Sequence, residues 1–129
     1  MSGDYAWDSN IAIAYFKSEV SILTKMKSVN SISIPATVLG ELYYGAEKSQ
    51  QAVSNIQRVD QFRDQNVILQ CDAGTAAIYG SIRNALRLKG KPIPENDIWI
   101  AALTIQHDLT LVTRDAHYGE ISTLQREAW

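Results

Sequence analysis

The stretch YAWDSNIAIAYF, residues 5–16, changes character at a single acidic residue, Asp8. The three residues before Asp8 form a short aromatic and apolar run that is typical of a buried strand. Behind Asp8, the apolar residues Ile11, Tyr15 and Phe16 recur at the spacing of one helix face. We therefore expect a strand, then a helix, with the carboxylate of Asp8 at the junction between them.

The same alternation of strand and helix continues along the chain. Segments of helical length and period lie between further short β-type runs. The predicted strands cover residues 5–7, 32–34, 67–69 and 109–113. Strands that alternate with helices indicate crossover connections and a mainly parallel sheet covered on both faces. The predicted fold class is α/β.

Individual residues predict where several helices begin and end. Ser49, Asp72 and Asn96 are candidate N-caps, because their side-chain oxygens can accept from free backbone N–H groups at a helix start. Pro35 suits the start of the helix after the second strand, and Gly90 suits a helix end. A further helix is expected behind residue 18.

Length and composition favour one globular domain spanning residues 1–129, since domains usually contain about 100 to 200 residues. A hydrophobic content of 46% against 20% charged residues excludes a disordered or fibrous chain. No apolar run approaches the ~18 residues that span a bilayer. The acidic N-terminal stretch is unlike a signal peptide, and the single cysteine, Cys71, is expected to be a buried structural thiol. These features predict a soluble, cytoplasmic protein with no membrane partner.

The basic residues are unevenly distributed, although the net charge is only −2. No acid occurs between Asp72 and Glu95, and this interval contains four basic residues: Arg83, Arg87, Lys89 and Lys91. The run could be a solvated helix face followed by a basic turn. It could equally hold phosphate groups, and both interpretations stay open.

Four acids from four separate segments are candidates for the ligand crevice, which an α/β sheet presents beyond the carboxyl ends of its strands. Asp8 follows the first strand, and Asp115 follows the last predicted strand. Asp97 is expected in the first turn of a helix, and Glu41 on a semi-buried face of another. Taken singly, the three aspartates also suit a cap, a helix-dipole position or a turn.

Converging carboxylates raise one another's pKa and require a compensating cation. Oxygen ligands select hard ions such as Mg²⁺ or Mn²⁺. Other chemistries lack support: His107 and His117 have no second ligand at zinc spacing, and there is no P-loop or nucleophile elbow. The run Asp8, Ser9, Asn10 fails as a phosphatase opening because its third residue is an amide.

Four blocks in order along the chain resemble one family. They are WDSNIAIAY at Asp8, PATVLGELYYGAEKS at Glu41, PIPENDIWIAA at Asp97 and LTLVTRDAHYGEI at Asp115. Together they resemble the PIN-domain ribonucleases, specifically the VapC-type toxins of bacterial toxin–antitoxin pairs. The resemblance extends from Asp8 to at least Ile121.

The resemblance implies a three-layer α/β/α PIN-like fold and a metal-dependent endoribonuclease. It makes four acids the catalytic, Mg²⁺- or Mn²⁺-binding set: Asp8, Glu41, Asp97 and Asp115. Asp115 occupies the position that varies most in the family. The residues expected to support this set are Ser9, Asn10 and Thr113. The four basic residues above become candidates for holding RNA phosphates beside the site.

The resemblance also implies partners, namely an RNA substrate, a second copy of the chain and a cognate antitoxin protein. Large apolar and aromatic side chains are clustered in two helices: Leu39, Leu42, Tyr43 and Tyr44 in one, and Ile11, Tyr15 and Phe16 in the other. We expect some of them, the tyrosines above all, to be covered by another chain. The alternatives are a non-catalytic PIN-like module that binds or regulates a partner, and a phosphatase of similar build.

Overall fold

A computed structural model describes residues 4–129, so the first three residues of the predicted 1–129 domain lie outside the described part. Within that part the chain forms five strands, six α-helices and one short 3-10 helix. In chain order they are β1 (Asp4–Trp7), α1 (Ser9–Phe16), α2 (Val20–Met26), β2 (Ser31–Pro35), α3 (Ala36–Glu47), α4 (Ala52–Gln65), β3 (Val67–Leu69), α5 (Ala73–Lys89), α6 (Glu95–Gln106), β4 (Thr110–Val112), the 3-10 helix (Ala116–Glu120) and β5 (Arg126–Glu127).

The strands form one parallel sheet in the order β3-β2-β1-β4-β5. Helices α1 to α4 lie in the crossovers that run outward from β1 to β3, and α5 and α6 lie in the crossover that returns to β4. Because such crossovers are right-handed, the reversal of direction after β3 places the two groups of helices on opposite faces. The predicted α/β/α architecture is confirmed.

Aromatic side chains hold the central strand β1 in place. Trp7 is fully buried, and its ring centroid lies 5.7 Å from that of Tyr15 on α1 and 6.2 Å from that of Phe62 on α4. Trp129, the last residue, meets Trp7 edge to face at 5.9 Å. Burial of such large side chains gives several kcal/mol of stabilisation. This packing fixes the position of the residue that follows Trp7.

The predicted ends of α5 are confirmed. Asp72 is the N-cap and forms a capping box with Thr75, in which each side chain accepts from the other residue's backbone N–H. Gly90 ends the helix in the left-handed region, with φ of 68°, where glycine carries no steric penalty.

Two predicted N-caps are wrong. The hydroxyl of Ser49 donates to the carbonyl of Ala46 at the end of α3, and α4 begins only at Ala52. Asn96 lies inside the first turn of α6, and Pro94 precedes that helix. In both cases the side chain satisfies a group other than its own helix start, which residue type alone does not reveal.

Two other features differ from expectation. The two-residue strand β5 was not predicted, because a pair of residues carries no periodic signal. Cys71 is exposed rather than buried, since it lies between β3 and the N-cap of α5. No helix within residues 4–129 is both long and apolar enough to cross a membrane.

Candidate active site

The register of β1 with β4 builds the centre of the site. Trp7 pairs with Val112, so the residues that follow them, Asp8 and Thr113, emerge side by side at the carboxyl edge of the sheet. The hydroxyl of Thr113 donates to Oδ2 of Asp8 at 2.7 Å. Asp8 is only 1% exposed, and two adjacent groups also donate to its carboxylate, the backbone N–H of Ser9 at 2.8 Å and the side-chain amide of Asn10 at 3.3 Å.

Burial dominates the electrostatics of Asp8. It raises the pKa of this carboxyl above its ordinary value, because desolvation disfavours the charged form. Hydrogen bonds from Thr113 and Ser9 act in the opposite direction, and the charges of Asp97 and Asp115 raise the pKa further. Asp8 is thus a rigidly held acid that is close enough to two other acids to sense their charge.

Asp97, Asp115 and His117 form a compact group beside Asp8. One ligand atom from each lies within 4.8 Å of the other two, and Nε2 of His117 lies 2.8 Å from Oδ2 of Asp97. Asp97 projects from the first turn of α6, whereas the other two flank the start of the 3-10 helix. The hydroxyl of Thr113 accepts from the backbone N–H of Asp115 at 3.1 Å and so links this group to Asp8.

Tyr118 lies buried beside the acids of the site. It is fully buried, and its hydroxyl makes no well-formed hydrogen bond with any described residue. The pKa of this phenol is raised, first by burial and then by the charges of Asp8, Asp97 and Asp115. The hydroxyl therefore stays protonated beside the acids and can donate to a molecule that enters the site.

Glu41 is not part of the compact group. Its carboxylate accepts from Nδ2 of Asn96 at 2.5 Å, next to Asp97 on α6. The expectation that Glu41 is semi-buried is wrong, because α3 buries Val38 and Leu42 and turns Glu41 to solvent. Glu41 thus lies on α3 at the rim of the crevice. It reaches the acids only through Asn96, which precedes Asp97 on α6.

The four basic candidates are exposed, and two of them form ion pairs with residues near the site. Arg83 forms an ion pair with Glu95, two residues before Asp97, at 3.6 Å. Lys89 forms one with Glu120, three residues after His117, at 3.1 Å. The other two are Arg87, which donates to Asn84, and Lys91.

Sequence reasoning missed His117 and Tyr118. His117 has no second histidine or cysteine nearby in sequence, so no zinc-ligand spacing marks it as a ligand. Its partner in space is Asp97, which lies 20 positions earlier on a different element. The only available signal was its place two residues after Asp115, in a segment that folds into a single 3-10 turn.

The donor chemistry fits a divalent cation. The site combines two carboxylates and an imidazole within reach of one another, a third carboxylate that is buried beside them, and the buried hydroxyl of Tyr118 next to Asp97. Such a concentration of negative charge is costly without a counter-charge. Asp97 and Asp115 could hold such a cation, with Asp8 next to them.

A parallel α/β sheet with this acidic crevice at its carboxyl edge is the architecture of a PIN domain. The PIN domain family model matches residues 5–124, and the chain belongs to that family.

Relatives identify the branch of the family. The chain is 34% identical to ribonuclease VapC2 of Haemophilus influenzae over 128 residues, covering 97% of each chain. It is 30% identical to the tRNA(fMet)-specific endonuclease VapC of Shigella flexneri over 125 residues, covering 95% of each. The crystal structure of VapBC2 from Rickettsia felis, bound to a DNA fragment from its promoter, contains a chain that is 32% identical, with a TM-score of 0.90 and 98% coverage of both. The protein is a VapC-type PIN domain, as its four sequence blocks predicted.

Proposed function

We propose that this protein is a metal-dependent endoribonuclease and the toxin of a toxin–antitoxin pair. The observation that supports this most directly is the convergence of Asp8, Asp97, Asp115 and His117 at one edge of the sheet. A scaffold protein has no reason to concentrate unpaired acids, so the alternative of a non-catalytic partner-binding module is not favoured. The names of its VapC relatives point to RNA as the substrate.

Each side chain has a task in this proposal. Asp97 and Asp115 would hold the cation, proposed to be Mg²⁺ or Mn²⁺, with Asp8 beside them. When bound, the ion supplies positive charge to the scissile phosphate and activates water for attack. Thr113 and Asn10 keep the Asp8 carboxylate in one orientation, and the hydroxyl of Tyr118 can donate to an oxygen that enters the site. Glu41 would join this set from the rim.

The decisive experiment measures cleavage of an RNA pool that includes tRNAs, in EDTA and in increasing Mg²⁺ or Mn²⁺. We expect the wild-type protein to cleave RNA with either metal and not to cleave it in EDTA. We also expect no RNA cleavage by Asp97→Asn, because this substitution removes a ligand charge from the site. The matched control is Asp108→Asn, because Asp108 is exposed, outside the site, and has a φ of 54° that asparagine tolerates well. Cleavage that persists in EDTA would contradict the proposal.

The surface of the protein has a groove that suits an antitoxin segment. A groove of about 380 Å³ lies between α1, α3 and α4, with the apolar residues Ile13, Phe16 and Leu42 among its walls. Ile13 is 45% exposed, and Glu41 lies at the rim. We propose that an amphipathic antitoxin helix packs its apolar face here and directs a basic side chain past Glu41 to the acids, where it replaces the cation as counter-charge.

Two further parts of the proposal concern assembly and substrate binding. We propose that the chain forms a homodimer in solution. The four basic candidates would hold RNA phosphates beside the site. The ion pairs of Arg83 with Glu95 and of Lys89 with Glu120 support this for two of them, because Glu95 and Glu120 lie in the segments that carry Asp97 and His117. Tyr44 is 66% exposed and stays available to a partner, whereas the Tyr43 hydroxyl already donates to Asp60 at 2.5 Å.

A further inference from the structure

His117 differs from the acids of the site in its chemistry. Its Nε2 atom lies 2.8 Å from Oδ2 of Asp97, and it belongs to the same group of mutually close ligand atoms as Asp115. Adjacent ligands around an octahedral ion with bonds of about 2.1 Å are roughly 3 Å apart. The separation of the imidazole nitrogen from the Asp97 oxygen therefore suits two ligands of one ion as well as it suits a hydrogen bond.

The imidazole is held in place by its surroundings. The ring of His117 packs against that of Tyr118, with centroids 4.8 Å apart, and its side chain remains 33% exposed. The imidazole thus packs on a buried neighbour while part of the ring stays exposed to solvent. Pre-orientation of this kind favours ligation, because little side-chain entropy is lost when an ion binds.

A second and independent feature indicates that the group receives a ligand. The hydroxyl of Tyr118 is fully buried, lies beside Asp97, and has no well-formed hydrogen bond with any described residue. An unsatisfied buried hydroxyl is unfavourable, and native structures usually pair such groups with water, an ion's hydration shell or substrate. The hydroxyl of Tyr118 and the imidazole of His117 therefore both lie beside the Asp97 carboxylate.

We propose that His117 supplies a nitrogen ligand to the cation held by Asp97 and Asp115, so that this centre prefers Mn²⁺ or a similar transition ion to Mg²⁺. The inference rests on the proposed function, because it concerns the cation of the same site. Imidazole is a good ligand for transition ions, whereas Mg²⁺ favours oxygen ligands and retains much of its water. A mixed nitrogen and oxygen donor set hence discriminates between the two ions.

The test is Mn²⁺ binding followed by pulsed electron paramagnetic resonance on protein without a histidine tag. A directly bound imidazole produces a ¹⁴N coupling in the Mn²⁺ signal, and oxygen ligands do not. The chain has two histidines, so His107→Gln is the matched control for His117→Gln. His107 is exposed at the end of α6, far along the helix from Asp97.

We expect the ¹⁴N coupling in the wild-type protein and in His107→Gln, and its loss in His117→Gln. Titration calorimetry should show Mn²⁺ affinity falling by about tenfold or more in His117→Gln. Mg²⁺ affinity should fall much less, because the glutamine amide offers an oxygen in place of nitrogen.

Other results overturn the inference and separate it from the proposed function. If Mn²⁺ binds and Asp97→Asn abolishes binding, but the wild-type signal has no ¹⁴N coupling, His117 only orients Asp97 and the inference fails while the metal site stands. This outcome needs no variant of His117 to fold. A coupling that persists in His117→Gln also refutes it. If neither ion binds at millimolar concentration, both the inference and the metal-dependent function fail.

Discussion

Asp97→Asn should make the metal-free protein more stable while abolishing its activity. The carboxylate oxygens of Asp97 and Asp115 lie within 4.8 Å of each other, and two unit charges at that limit repel by about 3.5 kcal/mol at an effective dielectric constant of 20 and by about 0.9 kcal/mol in bulk water. Because Asp115 is exposed, we expect a value near the lower end, about 1 to 2 kcal/mol. The asparagine amide can still form a hydrogen bond with His117, so the substitution removes the repulsion and sacrifices little of this contact.

The assay is thermal unfolding of wild type and variant in EDTA and in excess Mn²⁺. For a domain of this size, a gain of 1 to 2 kcal/mol corresponds to a rise in Tm of roughly 4 to 8 °C. Excess metal should raise the wild-type Tm as well, since an ion at 100 times its Kd adds about 2.7 kcal/mol. The variant should show no such response to metal.

Asp108→Asn controls for the general effect of removing a negative charge. It should change neither the free energy of unfolding in EDTA by more than about 0.5 kcal/mol nor the response to metal, since Asp108 is on the surface. Two results would refute the reasoning: a folded Asp97→Asn that cleaves RNA at the wild-type rate in saturating metal, or one that is less stable than wild type in EDTA.

Four further outcomes are expected. Asp8→Asn should stabilise the metal-free protein at pH 7 but not at a pH below 3.8, the ordinary pKa of an aspartate. Burial raises the pKa of Asp8 in the folded state, so the charged carboxylate lowers the free energy of unfolding as pH rises, and asparagine removes that charge. The measurement is Tm against pH in EDTA. Replacing all four basic candidates should reduce the salt slope of RNA binding by about 0.7 per lost phosphate contact, and an unchanged slope would exclude them. Light scattering at micromolar concentration should give twice the 14.4 kDa chain mass, and a strictly monomeric mass would refute the dimer. Ile13→Lys should abolish co-purification with the antitoxin, whereas Val53→Lys, on the exposed side of α4, should not.

The sequence predicted the fold well because its signals are local. Helix α5 is an example: residues of the same segment predict its apolar period, its N-cap at Asp72 and its end at Gly90. The structure confirms each of these features. The strand ending before Asp8 is likewise visible from a few residues. Residue type alone did not predict two local environments: the Ser49 hydroxyl donates to Ala46 at the end of α3 instead of capping α4, and Cys71 is exposed.

For the candidate site as well, the sequence predicted only the features that neighbouring residues encode. By themselves, residues 5–16 and the strand before Asp115 placed two acids at the carboxyl edge of a parallel sheet, because strand ends and helix starts are encoded by neighbouring residues. Only the tertiary structure decided which groups meet. Sheet register brings Thr113 to Asp8 across 105 positions, the packing of α6 brings Asp97 to His117, and Asn96 holds Glu41 at the rim. These contacts depend on how separate elements pack, and no periodic pattern within one segment records that packing.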